Sequence, residues 1–429
     1  MKVIRYPEKA VWHEILARPA FDTKSLERHV QNILDFVKKD GDAAVRHFTK
    51  ALDKADIENF LVTGEEFAEA ESLVSEELKS ALNLAKSNIE KFHAAQNEEP
   101  KIIETTTGVF CWRKSVPIER VGLYIPGGSA PLFSTVLMLG VPAKLAGCRE
   151  IVLCSPPQPD GKINAAILYA AQLCGIEKFF KIGGAQAIGA MAFGTETVPH
   201  CFKIFGPGNQ FVTSAKQLVS QLGVAIDMPA GPSEVAVLAD ETCVPSFVAA
   251  DLLSQAEHGV DSQVLLVTTS EKVVEETNRE LEKQLANLSR REIAAKALEN
   301  SKAILVRNFA EAVELLNEYA AEHLIIAAQD ADRIAGEITN AGSVFIGNYS
   351  CESAGDYASG TNHTLPTGGF AKAFSGVSLD SFTKKITFQK LTADGIKNLG
   401  KTIEIMAEAE GLDAHKNAVS LRLEKLAAD

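Results

Sequence analysis

The sequence predicts an α/β protein with two blocks, each built around a parallel sheet, and small appendages at both ends. From residue 121 to about 234, apolar strands alternate with glycine loops and helices; the first unit is a strand at 121–125, a loop at 126–131 and an apolar helix to Leu145. The alternation repeats from residue 234 to about 346. Strands that are apolar throughout are typical of a parallel sheet covered by helices on both faces, with ligands at the carboxyl ends of the strands.

The segments outside these blocks have patterns of their own. Residues 1–22 carry little pattern, whereas apolar side chains recur at helical intervals between residues 23 and 96. Thr63 followed by two acids is typical of a helix N-cap. Residues 107–113 predict a strand or hairpin, and residues 384–428 predict a strand-like turn followed by helices. The clearest helical stripe consists of Leu26, Val30, Ile33, Leu34 and Val37.

Length and composition narrow the class of protein. A chain of 429 residues is long enough for two or three domains, and 46% hydrophobic with 23% charged residues is ordinary for a globular protein. No segment has the ~18 consecutive apolar residues of a membrane span, and no secretory signal is visible. The net charge of −13 disfavours nucleic acid as a partner. Seven scattered cysteines without a C-x-x-C pair are typical of reduced thiols, so we predict a soluble cytoplasmic enzyme.

The stretch 352–363 combines turn-forming residues with an acid and an imidazole. Glycines let a backbone fold back tightly, and a buried loop must satisfy its polar groups locally. Asp356 and His363 would then converge on one point. The alternative is a surface Asx turn followed by a helix cap.

Two short pairs add acid, base or ligand groups. Gln255 and His258 are three residues apart at the end of a predicted helix, so they project from one face. A histidine in that position is also favoured by the helix dipole alone. Glu322 and His323 precede a buried strand and would place an acid beside a base at its entrance. The alternative for this second pair is an exposed strand start.

A metal site is consistent with residues that are far apart in the sequence. His415 and Glu410 lie on a charged C-terminal helix and by themselves predict only solvated side chains. No short zinc spacing is present. Imidazole, carboxylate and amide oxygen nevertheless suit zinc or another borderline divalent ion. The four candidate ligands are Gln255, His258, Asp356 and His415.

The signal for a dinucleotide is weak, because the sequence has no G-x-G-x-x-G motif. The glycines at 183–184 and 206–208 supply backbone that could approach phosphates. Cys111 and Cys154 are candidate nucleophiles of a cysteine-dependent aldehyde dehydrogenase. Both alternate with apolar neighbours, which favours buried structural cysteines. A non-catalytic small-molecule binder is a further alternative.

Six motifs occur in the order in which one known family carries them. They are V-G-L-Y-I-P-G-G at 121–128, G-P-G-N at 206–209, D-M-P-A-G-P-S-E at 227–234, Q-A-E-H at 255–258, G-D-Y-A-S-G-T-N-H at 355–363 and A-H-K-N-A-V at 414–419. From about Leu26 to Leu426 the sequence resembles the histidinol dehydrogenase family. This resemblance implies two incomplete Rossmann-like α/β domains, which explains the missing dinucleotide motif.

The resemblance also implies an activity and a set of contacts. The enzyme would oxidise L-histidinol to L-histidine through L-histidinal, in two NAD-dependent hydride transfers that complete L-histidine biosynthesis. It would be a homodimer with an active site shared between subunits, and one zinc ion per subunit held by the four candidate ligands. The residues implied to contact NAD are Tyr124, Gln186 and Asn209. Those implied to contact the substrate are Ser233, Gln255, His258, His323, Asp356, His363, Glu410 and His415.

The chemistry of such a reaction assigns roles to the adjacent acid and base. A primary alcohol loses a proton as hydride leaves, and His323 is the candidate base. The aldehyde must gain water before a second hydride can leave, and Glu322 is placed to activate that water. Because a substrate with an imidazole and an amine is itself a chelator, the metal would act as an orienting template.

We predict four units along the chain. Residues 1–22 form a small N-terminal segment, and residues 377–429 form a C-terminal helical domain that reaches the partner subunit. Residues 23–123 and 235–376 together form the first α/β domain. Residues 124–234 form the second.

Overall fold

The computed structural model describes residues 1–19, 23–127 and 131–428. Three residues of the predicted glycine loop, 128–130, therefore lie outside the described residues, as do the last three of the predicted N-terminal segment. None of the described helices is long and apolar enough to cross a membrane.

The chain begins with a short strand and a set of helices. The strand β1 (Lys2–Arg5) precedes a 3-10 turn (Lys9–Val11) and α1 (Trp12–Ile15). Then come α2 (Thr23–Phe48), a π-helical turn (Thr49–Asp53), α3 (Gly64–Leu73) and α4 (Glu76–Ala94). The predicted N-cap at Thr63 is confirmed, since its hydroxyl accepts from the N–H of Glu66 and its own N–H donates to the Glu66 side chain.

A hairpin and the first run of alternating strands and helices follow. The hairpin is β2 (Ile103–Thr106) and β3 (Val109–Pro117), which confirms the strand predicted at 107–113. The run consists of β4 (Arg120–Tyr124), α5 (Phe133–Leu145), β5 (Glu150–Ser155), α6 (Ala165–Leu173), β6 (Lys178–Lys181), α7 (Gly184–Phe193), β7 (Lys203–Phe205), α8 (Gln210–Ser220) and β8 (Ala225–Ile226).

The second run has the same alternation. Its elements are β9 (Glu234–Ala239), α9 (Pro245–Ala256), β10 (Gln263–Thr268), α10 (Glu271–Leu285), α11 (Arg291–Glu299), β11 (Lys302–Leu305), α12 (Phe309–Tyr319), β12 (His323–Ala327), α13 (Ala331–Ala335), β13 (Ser343–Ile346) and α14 (Glu352–Tyr357). Two 3-10 turns lead to the C-terminal part, which is β14 (Thr383–Leu391), α15 (Ala393–Ala409) and α16 (Asp413–Ala428). The predicted order of a strand-like segment and then helices is confirmed there.

The described residues form three sheets, of which two are parallel. One has six strands in the order β1-β11-β10-β9-β12-β13, and the other has five in the order β6-β5-β4-β7-β8. Every neighbouring pair within them is parallel. Because β9 and β10 are buried along their whole length, helices cover both faces, and the predicted α/β class is confirmed. In the third sheet β3 pairs antiparallel with β14 and β2.

The helices before β2 pack on the five-stranded sheet. Helix α2 lies against α7 and α8, α3 against α6, and α4 against α5. Strand β4 belongs to the same sheet, whereas β1 is an edge of the six-stranded one. These contacts differ from the predicted grouping of residues 23–123 with residues 235–376, because a sequence pattern marks an apolar face but not the element that covers it. The domain boundaries themselves stay a prediction.

Residues 227–233 join the two parallel sheets. They leave β8 at the carboxyl edge of the five-stranded sheet and enter β9 at the amino edge of the six-stranded sheet. A seven-residue segment reaches at most about 25 Å when extended, so these two edges lie near each other. Most of the predicted site residues divide between these two edges, whereas Glu410 and His415 belong to the C-terminal helices.

Candidate active site

The amino edge of the six-stranded sheet carries most of the predicted acid, base and ligand residues. Glu322 directly precedes β12 and His323 begins it, beside the start of β9 at Glu234. Helix α9 follows β9 and runs back, so its last turn brings Gln255 to the same edge. His258 follows two residues after the helix ends at Ala256, so it does not share the helix face predicted for the pair. The pattern of strands and glycine loops predicts ligands at the carboxyl ends of the strands. That expectation was wrong for this cluster, because the returning helix supplies ligand residues at the opposite edge.

Glu322 is buried and held by two donors. Its Oε2 accepts from the N–H of Glu234 at 2.9 Å and from Nε2 of Gln255 at 3.2 Å. Burial raises the pKa of Glu322 to about 7. Glu322 and His323 are only 7% and 3% exposed, which excludes the alternative of an exposed strand start. A buried carboxyl with a pKa near neutrality is suited to exchange a proton.

His323 is oriented by the main chain of β9. Its Nδ1–H donates to the Glu234 carbonyl at 3.2 Å, since a carbonyl only accepts. Its Nε2 therefore faces the cluster, 3.4 Å from Oδ1 of Asp356. Burial lowers the pKa of His323, but the nearby carboxylates of Glu322 and Glu352 outweigh burial and raise that pKa to about 10.

A compact group of possible metal ligands lies beside this imidazole. His258, Glu352 and Asp356 each offer a ligand atom, and these atoms lie within 4.8 Å of one another. The buried polar atoms without a hydrogen-bond partner in the described part of the chain include Gln255 Oε1, His323 Nε2, both carboxylate oxygens of Glu352 and Asp356 Oδ1. Orphaned buried polar atoms are costly unless a ligand satisfies them. Imidazole, carboxylate and amide oxygen together fit a divalent cation of zinc's type.

Glu352 is a member of this group that the sequence analysis missed. It is 1% exposed and is the first residue of α14, four residues before Asp356. Burial raises the pKa of Glu352 to about 8. A signal was present, because two carboxylates at a spacing of four share one helix face. The spacing of Glu352 and Asp356 does not stand out when the stretch 352–363 is interpreted as a loop, because the two carboxylates share a face only in a helix.

Asp356 and His363 lie side by side. The Nδ1–H of His363 donates to the backbone carbonyl of Asp356 at 2.9 Å, and its Nε2 lies 3.0 Å from Oγ1 of Thr135. Burial opposes ionisation of Asp356, but the neighbouring His323 lowers the pKa of this carboxyl. Burial lowers the pKa of His363. The two residues therefore meet as predicted in space, but through a main-chain contact rather than between side chains.

The remaining predicted contacts fall in two places. Ser233 is half-buried directly before β9, at the same edge as Glu322. Glu410 and His415 are exposed at the end of α15 and on α16. His415 does not belong to the group of converging ligand atoms found among the described residues. One chain thus places Gln255, His258 and Asp356 at one edge and leaves His415 apart.

The three residues predicted to contact NAD lie at the carboxyl edge of the five-stranded sheet. Tyr124 accepts from the N–H of Gly184 at 3.0 Å. Gln186 donates through Nε2 to Oδ2 of Asp53 at 3.2 Å, while its Oε1 is buried without a partner among the described residues. Asn209 caps α8 through Oδ1, which leaves its NH2 group at the exposed helix start. Neutral polar groups beside two helix N-termini suit a phosphate-bearing ligand.

Gly206 follows β7 and Cys154 lies next to the last residue of β5, at this edge as well. Gly206 has φ 125°, and a Cβ there would lie 2.0 Å from the carbonyl oxygen of Tyr124, so only glycine permits this approach of two main chains. Cys154 is fully buried, and burial raises the pKa of its thiol. A buried thiol is a poor nucleophile, which supports the structural interpretation of Cys154. Cys111 lies on β3, in the antiparallel sheet, and is half-buried, so the prediction of a buried position was wrong for this cysteine.

Comparison with known proteins shows the family of this chain. The family model for histidinol dehydrogenase matches residues 16–423. Histidinol dehydrogenase of Bacteroides thetaiotaomicron is 62% identical over 426 residues, covering 99% of this chain and 100% of that protein. That of Escherichia coli (strain K12) is 53% identical over 416 residues, covering 96% and 95%. The crystal structure of histidinol dehydrogenase from Elizabethkingia anophelis is 56% identical with a TM-score of 0.98, covering 99% and 98%. The chain belongs to the histidinol dehydrogenase family.

Proposed function

We propose that this chain oxidises L-histidinol to L-histidine through L-histidinal, reducing two NAD⁺ in sequence as the last steps of histidine biosynthesis. The observation that carries the proposal is the buried Glu322–His323 pair beside orphaned ligand atoms at one sheet edge. An alcohol-to-acid oxidation needs a base for the hydroxyl proton and a base for a water molecule. His323 and Glu322, which are adjacent but lie in different environments, would supply these two bases. The cytoplasmic location stays a prediction from the sequence.

In the first half-reaction His323 accepts the hydroxyl proton of the substrate. Its Nδ1–H is committed to the Glu234 carbonyl, so Nε2 is the nitrogen that takes the proton. NAD⁺, when bound, accepts the hydride of each step. A divalent cation held at the cluster would lower the pKa of His323 by its positive charge, and would orient the imidazole and amine of the substrate. The products of this step are the aldehyde, NADH and one proton.

In the second half-reaction Glu322 deprotonates the water that adds to the aldehyde. Both of its hydrogen bonds are made to Oε2, which holds the carboxyl in place while Oε1 meets the water. The hydrate then loses hydride to the second NAD⁺ and two protons to solvent, which gives the carboxylate and the second NADH. Ser233, His363 and Glu410 are proposed to hold the polar ends of the substrate, and Tyr124 with Gln186 and Asn209 the NAD.

The cation is proposed to be zinc, one per subunit. Gln255, His258 and Asp356 would hold it from one chain, and His415 from a second copy of the chain. The position of His415 supports this, because α16 is exposed and carries it away from the cluster of its own chain. The same C-terminal region exposes large apolar side chains, as expected for a surface that a second subunit covers. They are Ile386, Phe388, Ile405, Met406, Leu412 and Leu421.

The activity is tested by measuring NADH formation from L-histidinol and NAD⁺. We expect two NADH per L-histidinol consumed and L-histidine as the product. The matched control is Cys154→Ala, which we expect to retain activity, whereas a cysteine-dependent aldehyde dehydrogenase would lose all of it. A protein that binds L-histidinol without forming NADH would instead be the non-catalytic binder.

The shared active site is tested by refolding two inactive variants together, Asp356→Ala and His415→Ala. If His415 acts across the interface, each mixed dimer has one site with both lesions and one with neither. Random assembly then restores roughly a quarter of wild-type activity, since half of the dimers are mixed and half of their sites are intact. No recovery in the mixture would show that His415 acts within its own chain or not at all.

A further inference from the structure

The main chain at Glu234 holds both members of the acid–base pair. Its N–H donates to Oε2 of Glu322 at 2.9 Å, and its carbonyl accepts from Nδ1 of His323 at 3.2 Å. These contacts cross from β9 to β12, which pair in parallel with His323 opposite Val235. A shift of the main chain at Glu234 therefore displaces the carboxyl and the imidazole together.

The side chain of Glu234 is itself fixed by three donors. It is 2% exposed and accepts from Nε and Nη2 of Arg18, with Nη2 2.9 Å from Oε2. Its Oε1 also accepts from the N–H of Gly368 at 2.8 Å. A guanidinium that binds a carboxylate through two parallel hydrogen bonds fixes its direction as well as its position. The carboxylate of Glu234 thus has little freedom to turn.

Arg18 makes a second contact that leads to the same pair. Its Nη2 donates to the carbonyl of Tyr319 at 2.7 Å, and its guanidinium lies 4.2 Å from the centre of the Tyr319 ring. Tyr319 ends α12, three residues before Glu322, and the intervening Ala320 has φ 53°. One arginine from the N-terminal segment therefore anchors the start of β9 and the turn that leads into β12.

We propose that Arg18 and Glu234 are positioning residues for Glu322 and His323. Neither acts on the substrate; Arg18 fixes the Glu234 side chain, and the Glu234 main chain orients the two reacting groups. The inference rests on the proposed function, because it concerns the geometry of the same reaction. It gives the N-terminal segment, which has little sequence pattern, a part in catalysis.

The test compares kcat and KM for Arg18→Ala, Arg18→Lys and Arg307→Ala. Loss of a residue that orients an active-site group typically costs 10- to 100-fold in activity, so we expect kcat of Arg18→Ala to fall by about that factor. The KM values for L-histidinol and NAD⁺ should change little, because the binding residues remain. Arg18→Lys keeps the charge but loses the two parallel hydrogen bonds, so it should recover part of kcat.

Arg307→Ala is the matched control for loosening the N-terminal segment. Arg307 ties that segment to α12 through Glu8 and Glu311, at 2.7 and 2.8 Å, without contacting Glu234. The Arg307→Ala substitution should leave kcat unchanged. An Arg18→Ala protein that is folded and metal-loaded with wild-type kcat would overturn the inference, and so would an equal loss of kcat in Arg307→Ala.

A folding failure of Arg18→Ala and a failure of the proposed function give different results. If Arg18→Ala does not fold, Arg18→Lys and Glu234→Gln decide, and a wild-type kcat in both folded variants overturns the inference. If the wild-type protein forms no NADH from L-histidinol, the proposed function has failed. In a wild-type protein that is active, only the comparison among the variants bears on Arg18 and Glu234.

Discussion

The two sheet edges joined by residues 227–233 are built from different kinds of side chain. The amino edge of the six-stranded sheet concentrates carboxyls and imidazoles, and burial or neighbouring charge shifts the pKa values of Glu322, His323 and Glu352 towards or beyond neutrality. The carboxyl edge of the five-stranded sheet presents a phenol and two amides at helix starts. Proton transfer requires titratable groups in a site of low polarity, whereas holding a nucleotide requires directed neutral donors and acceptors.

The difference extends to how completely the groups are satisfied. Several buried ligand atoms at the first edge have no hydrogen-bond partner among the described residues, and Asp356 Oδ1 is one of them. At the second edge Tyr124 and Asn209 are engaged by backbone N–H groups, and only Gln186 keeps a buried oxygen without a described partner. The first edge is therefore completed by a ligand, while the second is largely formed by the fold. Substitutions at the two edges should differ in what they disturb.

The largest effect is expected from removing the cation at the first edge. Chelation should abolish turnover, and zinc or a similar divalent ion should restore it. His258→Asn replaces a good nitrogen ligand by a weaker oxygen one. Mutating a residue that only orients a metal ligand already lowers metal affinity by up to about 100-fold, so we expect the loss of a ligand itself to lower it by at least about that factor. Bound metal is measured by elemental analysis, with His13→Asn at an exposed histidine as the control. Full activity in a metal-free protein would contradict the assignment.

The next largest effect separates the two half-reactions. Glu322→Gln keeps the shape and the hydrogen bond from the Glu234 N–H but removes the base, so oxidation of L-histidinal should fall by about 100- to 10,000-fold. Oxidation of L-histidinol to L-histidinal should fall much less. Assays that start from each substrate separately measure this ratio, and Glu318→Gln, at an exposed position of α12, is the control. Equal losses in both half-reactions would exclude water activation by Glu322.

Part of the difference between the two sheet edges was predictable from local sequence patterns. Continuous apolar strands identified both parallel sheets. The pairing of Gln255 with His258 identified two residues of one sheet edge, but not a shared helix face, because α9 ends at Ala256 and His258 lies beyond it. The contacts of Glu234 were not predictable, because they join β9 to β12 through main-chain atoms that any residue carries. The packing of α2 on the five-stranded sheet was likewise hidden, since an apolar stripe does not name its partner. Local spacing predicts faces, and only the folded chain shows which faces meet.

The smallest effect concerns the acid at the second edge. Burial raises the pKa of Asp53 from 3.8 to about 6, although the hydrogen bond from Gln186 opposes this shift. A carboxyl with a raised pKa in the folded state disfavours folding once it ionises, so its stability cost appears as pH rises from about 4 through 6 and is complete above. Asp53→Asn removes the charge and keeps an oxygen that can accept from Gln186.

Because the carboxyl is only partly buried, solvent screening reduces the effect of its charge. We therefore expect Asp53→Asn to raise the free energy of unfolding by roughly 1 kcal/mol at pH 8. The gain should shrink markedly at pH 5, where the wild-type carboxyl is largely protonated in the folded protein. Thermal unfolding at the two pH values measures the difference. Asp56→Asn, at an exposed neighbour paired with Lys50, should stay within about 0.5 kcal/mol at both. If wild type is the more stable protein at pH 8, the Asp53 charge is stabilised by its surroundings, and the contrast between a charged edge and a neutral one no longer holds.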